Sequence, residues 1–193
     1  YLHSFPTRRS SRSIGKIIKT EDGGENWESL SKPTSKCLES VYFTDKNTGY
    51  AVGEGGTIIK TFDGGLNWAN LVSGTSNRLT SVQFTSTDTG FIAGHSGTIL
   101  KTTDGGTNWF SVGSGNDFSS VYFVNSNVGY ISGQHGLIQK TIDGGVTWTS
   151  STVNQNNIQH RNLNSVFFID ENTGYAAGEN GGIYKTMDGG INW

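Results

Sequence analysis

Five aspartates recur at nearly even spacing along the chain, and each is followed by two glycines. Carboxylates are the groups that glycoside hydrolases use in pairs, one on each side of the bond that they cleave. One carboxylate per repeat, always at a turn, instead indicates a structural role, because it can accept hydrogen bonds from backbone N–H groups of that turn. The five residues are Asp22, Asp63, Asp104, Asp143 and Asp188.

Two histidines and two glutamates lie in short glycine-flanked segments away from these aspartates, and two arginines lie between repeats. Imidazole and carboxylate side chains could hold a metal ion, but here they come from several repeats and sit at different offsets within them. We therefore interpret them as solvated side chains of a candidate binding face, because loops on a rigid scaffold commonly carry binding residues. The face comprises Glu54, Arg78, His95, His135, Arg161 and Glu179.

The elements that position these residues can be read from the repeat. Each Asp-Gly-Gly is a hairpin signal, since both glycines can adopt positive φ, and each phrase closes on a tryptophan that carries a large apolar surface. The tryptophans are 41, 41, 39 and 45 residues apart. A period of this size with four short strands per unit predicts a β-propeller. The remaining phrase residues are Gly24, Trp27, Gly65, Trp68, Gly106, Trp109, Gly145, Trp148, Gly190 and Trp193.

Strand signals recur in the same order in every unit. The first strands, at 38–43, 79–84, 118–123 and 163–168, are apolar enough to predict burial on both faces near the propeller axis. A serine at a fixed place in each would let neighbouring blades approach closely. Second strands follow at 49–52, 90–93, 129–132 and 174–177, and third strands begin after a further glycine. The Asp-Gly-Gly phrases should join third to fourth strands, at the end of the propeller opposite the candidate binding face.

The strand count predicts an all-β chain with about four and a half blades: a half-blade at 14–32 and blades at 37–73, 78–113, 117–152 and 162–193. Either the terminal partial blades complete each other, or the chain is a fragment with open strand edges that should associate. Residues 1–13 fit no part of the repeat. Because residues 1–11 resemble a translated sequencing adapter, we expect a non-native leader there, which favours the fragment.

Composition excludes several classes of function. The net charge of −2 gives no electrostatic footprint for nucleic acid or an anionic membrane. No apolar run reaches the roughly 20 residues of a membrane-spanning helix. Cys37 is the only cysteine, so an internal disulfide is excluded. We expect no cofactor and no metal.

The phrase Ser/Thr-x-Asp-x-Gly-x-Thr/Asn-Trp resembles the Asp-box, or bacterial neuraminidase repeat. Together with the Ser-Val-x-Phe first strands and Gly-x-Ile-x-Lys-Thr-x-Asp-Gly-Gly, it is similar to the photosystem II stability and assembly factor family. That resemblance implies a seven-bladed parent and a non-enzymatic scaffold that binds a protein partner. It further implies an exported bacterial protein, located outside the cell, on its surface or in the periplasm, or in the thylakoid lumen if the source is photosynthetic. The remaining blades of the same polypeptide would be further partners.

Two alternatives stay open. A genuine photosystem II assembly factor should present a basic patch, but the positions before the four first strands are mixed in charge: Cys37, Arg78, Asp117 and Asn162. An Asp-box glycoside hydrolase of sialidase or xyloglucanase type would need an arginine triad or a carboxylate pair, and outside the adapter-like residues 1–11 only Arg12, Arg78 and Arg161 remain.

Overall fold

The computed structural model describes residues 15–30, 33–153 and 161–193, which form five antiparallel sheets of short strands. Consecutive strands pair with each other, as a propeller blade requires. The all-β propeller prediction is therefore confirmed. The predicted leader, residues 1–13, lies outside the described residues.

The five sheets follow one another along the chain. The N-terminal half-blade contains β1 (Ile18–Lys19) and β2 (Glu28–Ser29). Blade one contains β3 (Leu38–Phe43), β4 (Gly49–Gly53), β5 (Ile58–Thr61) and β6 (Ala69–Leu71). Blade two contains β7 (Leu79–Phe84), β8 (Gly90–Gly94), β9 (Ile99–Thr102) and β10 (Phe110–Ser111). Blade three contains β11 (Phe118–Phe123), β12 (Gly129–Gly133), β13 (Leu137–Thr141) and β14 (Thr149–Thr152). Blade four contains β15 (Leu163–Phe168), β16 (Gly174–Gly178) and β17 (Ile183–Thr186).

Helical structure within the described residues is limited to three short 3-10 turns that follow second strands. They span Glu54–Gly56, Gln134–Gly136 and Glu179–Gly181. Among the described residues, no helix is long and apolar enough to cross a membrane.

The second strands are the most buried elements, and the prediction that the first strands are buried on both faces is wrong. Every residue of β4, β8 and β12 is buried, whereas β7 and β11 alternate between buried and half-buried positions. In blades one to three, the second strand has sheet neighbours on both edges and packed side chains on both faces, whereas β16 of blade four alternates between buried and exposed residues. A first strand lies at a sheet edge, so part of its surface stays uncovered.

The hydrophobic core consists of layers between blades. Three clusters of buried side chains each combine residues from two consecutive blades. We call the face of a blade that packs on the following blade its leading face, and the opposite face its trailing face. On the leading face of blade one, Tyr50 and Ile58 pack with Leu79, Val82 and Phe84 on the trailing face of blade two.

One aromatic arrangement recurs in these layers. A ring from a second strand stacks on the last phenylalanine of the next blade's first strand, at centroid distances of 4.0 Å for Tyr50 and Phe84 and 3.6 Å for Tyr130 and Phe168. The phrase tryptophan then packs edge-on against that phenylalanine, as Trp109 does on Phe84 at 6.0 Å. These contacts explain why the tryptophan recurs once per repeat.

A glycine opens each second strand because a ring lies over its backbone. A Cβ on Gly49 would come within 2.5 Å of the Phe43 ring, and Gly90, Gly129 and Gly174 have equivalent neighbours. The fixed serine in the first strand also has a direct role. The backbone N–H of Val82 donates to Ser40 Oγ at 3.3 Å, and that of Val121 donates to Ser81 Oγ at 3.2 Å. The serine therefore both admits the next blade and hydrogen-bonds to it.

The partial blades at the two ends do not complete each other in this structure. The pair β1–β2 and the three strands β15–β17 form separate sheets. The predicted unit boundaries, such as 37–73, remain predictions.

Candidate functional site

Each Asp-Gly-Gly phrase forms a closed hydrogen-bond network around its carboxylate. In blade one, Thr61 Oγ1 donates to Asp63 Oδ1 at 2.8 Å and accepts a bond from the Gly65 N–H at 3.0 Å. The backbone N–H and side-chain amide of Asn67 donate to the two Asp63 oxygens, each at 2.8 Å. The two central glycines have φ of 69° and 93°, the left-handed values that the hairpin requires. Both carboxylate oxygens are thus occupied within the turn.

These hydrogen bonds keep the aspartates ionised. Donation from Asn67 and Thr61 lowers the pKa of Asp63 to about 2, and donation from Thr147 and Thr141 lowers that of Asp143 to about 2. Bonds from Asn192 and Thr186 lower the pKa of Asp188 to about 2, and the pKa values of Asp22 and Asp104 are lowered by the same kind of contact. A general acid needs a raised pKa. The Asp-box carboxylates are therefore suited to holding a turn.

In blades one, two and three, the lysine before the phrase connects the blade to the next one. Lys60 Nζ donates to the Gly105 carbonyl of blade two at 2.7 Å, and Lys101 Nζ reaches the Gly144 carbonyl of blade three at the same distance. Lys140 donates to the Gly189 carbonyl of blade four at 2.8 Å.

The candidate binding face, which we call the loop face, lies at the end of the blades opposite the Asp-box turns. Asp-box turns hydrogen-bond to the turns between first and second strands, as Gly105 N–H does to the Asp88 carbonyl. The segments after the second strands instead bond to the residue that precedes the first strand: His95 N–H donates to the Arg78 carbonyl at 2.8 Å. Backbone bonds thus hold Glu54, His95 and Glu179 at the same position in their blades.

Arg78 points to the preceding blade. Its Nη2 donates to Glu39 Oε1 at 2.6 Å, and both side chains are partly exposed. Glu39 lies at the irregularity in the pairing of β3 with β4, between Leu38 and Ser40. The sequence interpretation did not include this partner, although a separation of about one repeat was the signal that could have revealed it.

His95 lies beside a carboxylate from the next blade. Its Nδ1 is 3.4 Å from Asp117 Oδ2. The Gln134 side-chain amide donates to the same oxygen at 3.0 Å, and the Ser96 N–H donates to Asp117 Oδ1 at 2.8 Å. Asp117 therefore joins the segments that follow the second strands of two adjacent blades.

A similar connection links blades three and four. The N–H of His135 donates to Asn162 Oδ1 at 3.2 Å, and Asn162 Nδ2 donates to Glu179 Oε1 at 3.1 Å. His135 and Glu179 are exposed, and Arg161 is half-buried next to Asn162. In blade one, the Cys37 N–H lies 3.4 Å from Glu54 Oε2.

The candidate residues therefore form small groups, one at each boundary between blades. Within the described ranges, no three His, Cys, Asp or Glu side chains come together in a way that could hold a metal ion. The arrangement offers a row of polar and charged groups along one rim of the molecule. Such a row is suited to contacts with an extended polypeptide.

A family model described as photosynthesis system II assembly factor YCF48 matches the chain over residues 19–120 and again over 111–193. No curated protein matches the chain significantly.

Solved structures resemble the chain at low sequence identity. YCF48 bound to a D1 peptide is 19% identical with a TM-score of 0.58, over 86% of this chain and 84% of that chain. YCF48 from Cyanidioschyzon merolae is 20% identical with a TM-score of 0.69, over 90% of this chain and 64% of that one. A GH74 xyloglucanase from Xanthomonas campestris is 14% identical with a TM-score of 0.76, over 98% of this chain but only 35% of the enzyme. At these identities the likenesses show a shared propeller fold.

Proposed function

The chain belongs to the photosystem II assembly factor YCF48 family, and from that membership we propose that it is a non-enzymatic scaffold that binds a polypeptide partner on its loop face. The observation that carries the proposal is the family match, together with a relative whose solved structure holds a D1 peptide. The propeller supplies a rigid frame, and the loop face supplies side chains that differ from blade to blade. Variable side chains on a repeated frame are a common basis for selective binding.

The loop-face groups favour a partner with both charges. Arg78 and Arg161 offer donors for carboxylates, whereas Glu54 and Glu179 can accept from lysine or arginine. Because the loop face carries both positive and negative side chains, a uniformly acidic ligand is less well supported. We propose that the partner is a polypeptide, and that neither a nucleic acid nor a small-molecule cofactor is involved.

The state of the carboxylates supports a role without catalysis. All five Asp-box aspartates have lowered pKa values and accept hydrogen bonds inside their own turns. The likeness to the xyloglucanase extends over about a third of that enzyme and carries the fold alone. Hydrolysis of a glycoside is therefore the less supported candidate.

Location follows from the same proposal. We propose an exported protein, placed outside the cell, on its surface or in the periplasm, or in the thylakoid lumen if the source is photosynthetic. Detection of the full-length protein in fractionated cells of the source organism would test this, and recovery in the cytoplasmic fraction would contradict it.

A titration with a fluorescently labelled D1 peptide tests the partner and the face together. We expect saturable binding that weakens at least fivefold in Glu179→Lys and in Arg161→Glu, with unchanged thermal unfolding. The matched control is Ile142→Glu, an exposed position on the Asp-box hairpin of blade three, which should bind as the wild type does.

Two outcomes would contradict the proposal. Loss of binding in Ile142→Glu, with binding unchanged in Glu179→Lys, would place the site at the Asp-box turns instead of the loop face. Release of reducing ends from xyloglucan oligosaccharides by the purified chain would overturn the non-enzymatic assignment.

A further inference from the structure

The Asp-box hairpins of blades three and four expose apolar side chains at two fixed positions. One position precedes the aspartate, and the other follows the second glycine. In blade three these residues are Ile142 and Val146, which are 69% and 72% exposed. In blade four they are Met187 and Ile191, which are 71% and 76% exposed. Large apolar side chains therefore project into solvent from both hairpins.

The turn itself does not require apolar residues at these two positions. Blade two has Thr103 and Thr107 there, and the half-blade has Glu21 and Glu25. Their turns nevertheless form the same bonds between threonine, aspartate and the second glycine. The fold therefore leaves the apolar residues of blades three and four unexplained.

The exposure of these positions does not depend on the neighbouring blade. Phe62 holds the first position in blade one and is 67% exposed, although blade two packs on blade one. Ile142 is equally exposed, although blade four packs on blade three. A following blade thus covers the core strands and leaves the hairpin residues in solvent.

The hairpins of blades three and four are neighbours. Lys140 Nζ donates to the Gly189 carbonyl at 2.8 Å, and Lys140 lies two residues before Ile142. Gly189 lies between Met187 and Ile191 in the hairpin of blade four. The exposed side chains thus form one surface across two blades, which we call the hairpin patch. It consists of Ile142, Val146, Met187 and Ile191.

Carboxylates surround this patch. Asp143 and Asp188 lie within the two hairpins, and hydrogen bonds lower the pKa of each to about 2, so both are ionised. Asp170 and Glu171 are exposed in the turn between β15 and β16. That turn adjoins the hairpin of blade four, because the Gly189 N–H donates to the Asn172 carbonyl at 2.9 Å.

Few cations offset these carboxylates. The hairpins at 141–148 and 186–193 and the turns at 124–128 and 169–173 contain no lysine or arginine. The nearest lysines in the chain are Lys140, which is held at the blade boundary by the Gly189 carbonyl, and Lys185, whose Nζ lies 5.8 Å from the centre of the Tyr175 ring. The hairpin patch is therefore an apolar surface with a negative border.

From these observations we infer that the hairpin patch is a second docking surface, which binds a polypeptide segment whose apolar side chains alternate with lysines or arginines. The apolar side chains of the segment cover the four aliphatic residues, and its cations lie beside the carboxylates. The patch is at the end of the blades opposite the loop face. A loop-face partner and this segment therefore bind at the same time.

The carboxylates favour a polypeptide over a lipid bilayer. Exposed apolar side chains can also enter a membrane interface. Asp143 directly follows Ile142, so insertion of the hairpin would carry an ionised carboxylate towards the hydrocarbon, where its loss of hydration is costly. Anionic headgroups would also be repelled by the border of the patch. Lysine and arginine side chains of a polypeptide instead pair with these carboxylates.

Fluorescence anisotropy with a labelled peptide of alternating leucine and lysine tests the docking surface. We expect saturable binding whose dissociation constant rises at least fivefold in Ile142→Asn and in Met187→Gln, with unchanged thermal unfolding. The matched control is Val72→Asn, an aliphatic residue that is 82% exposed directly after β6 and outside the patch. It should change the constant less than twofold. Absence of binding, or equal losses in all three variants, would overturn the inference.

A second peptide tests the role of charge. A peptide of alternating leucine and glutamate should bind at least tenfold more weakly, because the border of the patch repels it. Equal binding of the two peptides would overturn the inference. So would binding to phosphatidylcholine vesicles that is lost in Ile142→Asn, since that result would assign the patch to a membrane.

Competition distinguishes this surface from the loop face. Saturating D1 peptide should leave binding of the leucine–lysine peptide unchanged, and so should Glu179→Lys. Failure of D1 binding alone would contradict the function proposed for the loop face and leave the hairpin patch supported. Displacement of the leucine–lysine peptide by D1 peptide would overturn the inference of a separate surface.

Discussion

The Asp-box aspartate and its threonine act as one unit. Thr102 Oγ1 donates to Asp104 Oδ1 at 2.9 Å while accepting from the Gly106 N–H at the same distance. A substitution at either residue therefore leaves turn donors without acceptors, and we expect Asp104→Ala to lower the melting temperature with little effect on binding at the loop face. Loss of peptide binding with an unchanged melting curve would contradict the structural role.

The lowered pKa values predict a specific dependence of stability on pH. An aspartate with a pKa of about 2 when folded and about 4 when unfolded stabilises the fold above the unfolded pKa. That contribution is lost as pH falls through the folded pKa. We expect urea midpoints to fall between about pH 4 and pH 2, and Asp63→Asn to reduce the slope. A midpoint that stays constant down to pH 2 would contradict this assignment.

The tryptophans should differ in their contributions to stability according to burial. Trp109 is 9% exposed and packs on Phe84 within the layer between blades one and two. We expect Trp109→Ala to lower the free energy of unfolding by about 3 to 5 kcal/mol. Trp193→Ala should cost less, because Trp193 is half-buried and no described fourth strand follows it. Equal denaturation midpoints for the two variants would argue against these blade boundaries.

At the level of the strands, burial depends on position within the blade. The second strand is covered on all sides, which explains why the short run Gly90–Gly94 is buried throughout. In the sequence, the apolar runs of the first and second strands look alike. The sequence therefore does not show which of the two strands is less covered because it lies at a sheet edge. That difference is set by the packing of neighbouring blades.

The connections between blades can be tested through the lysines. Lys60 donates to the Gly105 carbonyl and lies 5.0 Å from the centre of the Tyr50 ring. Lys60→Met keeps the apolar stem but removes the charged donor, so we expect a loss of about 1 to 2 kcal/mol in unfolding free energy. Lys185→Met is the matched control, because Lys185 is exposed, and it should change stability by less than about 0.5 kcal/mol. A similar loss in both variants would mean that the bond to the next blade contributes little.

The sequence predicted most of the repeat and less of the loop face. The turn role of the aspartates followed from Asp-Gly-Gly, and the order of strands followed from the glycines and the apolar runs. The pairing of Arg78 with Glu39 and the position of Asp117 between two blades depend on how consecutive blades are rotated. The sequence of one repeat does not reveal how consecutive blades are rotated. Residues separated by one repeat length are nevertheless the ones that could come into contact.

On the scale of the whole molecule, stability should vary along the row of blades. Each core layer joins only consecutive blades, and within the described residues blades two and three have such a layer on both faces. We expect amide hydrogen exchange to be slowest in β8 and β12 and fastest in β1 and β2. Uniform protection across all five sheets would instead indicate a single cooperative unit.

The lysine bonds also give the molecule a direction. Lys60, Lys101 and Lys140 all donate to the blade that follows, and none of these bonds points backwards. A duplicated blade inserted in frame would therefore arrive with its own donor for the next blade and its own carbonyl for the previous one. Gain or loss of length should then be tolerated in steps of one whole repeat, and a break within a repeat should be far more harmful to folding. The gene could lengthen by tandem duplication without any new interface having to evolve.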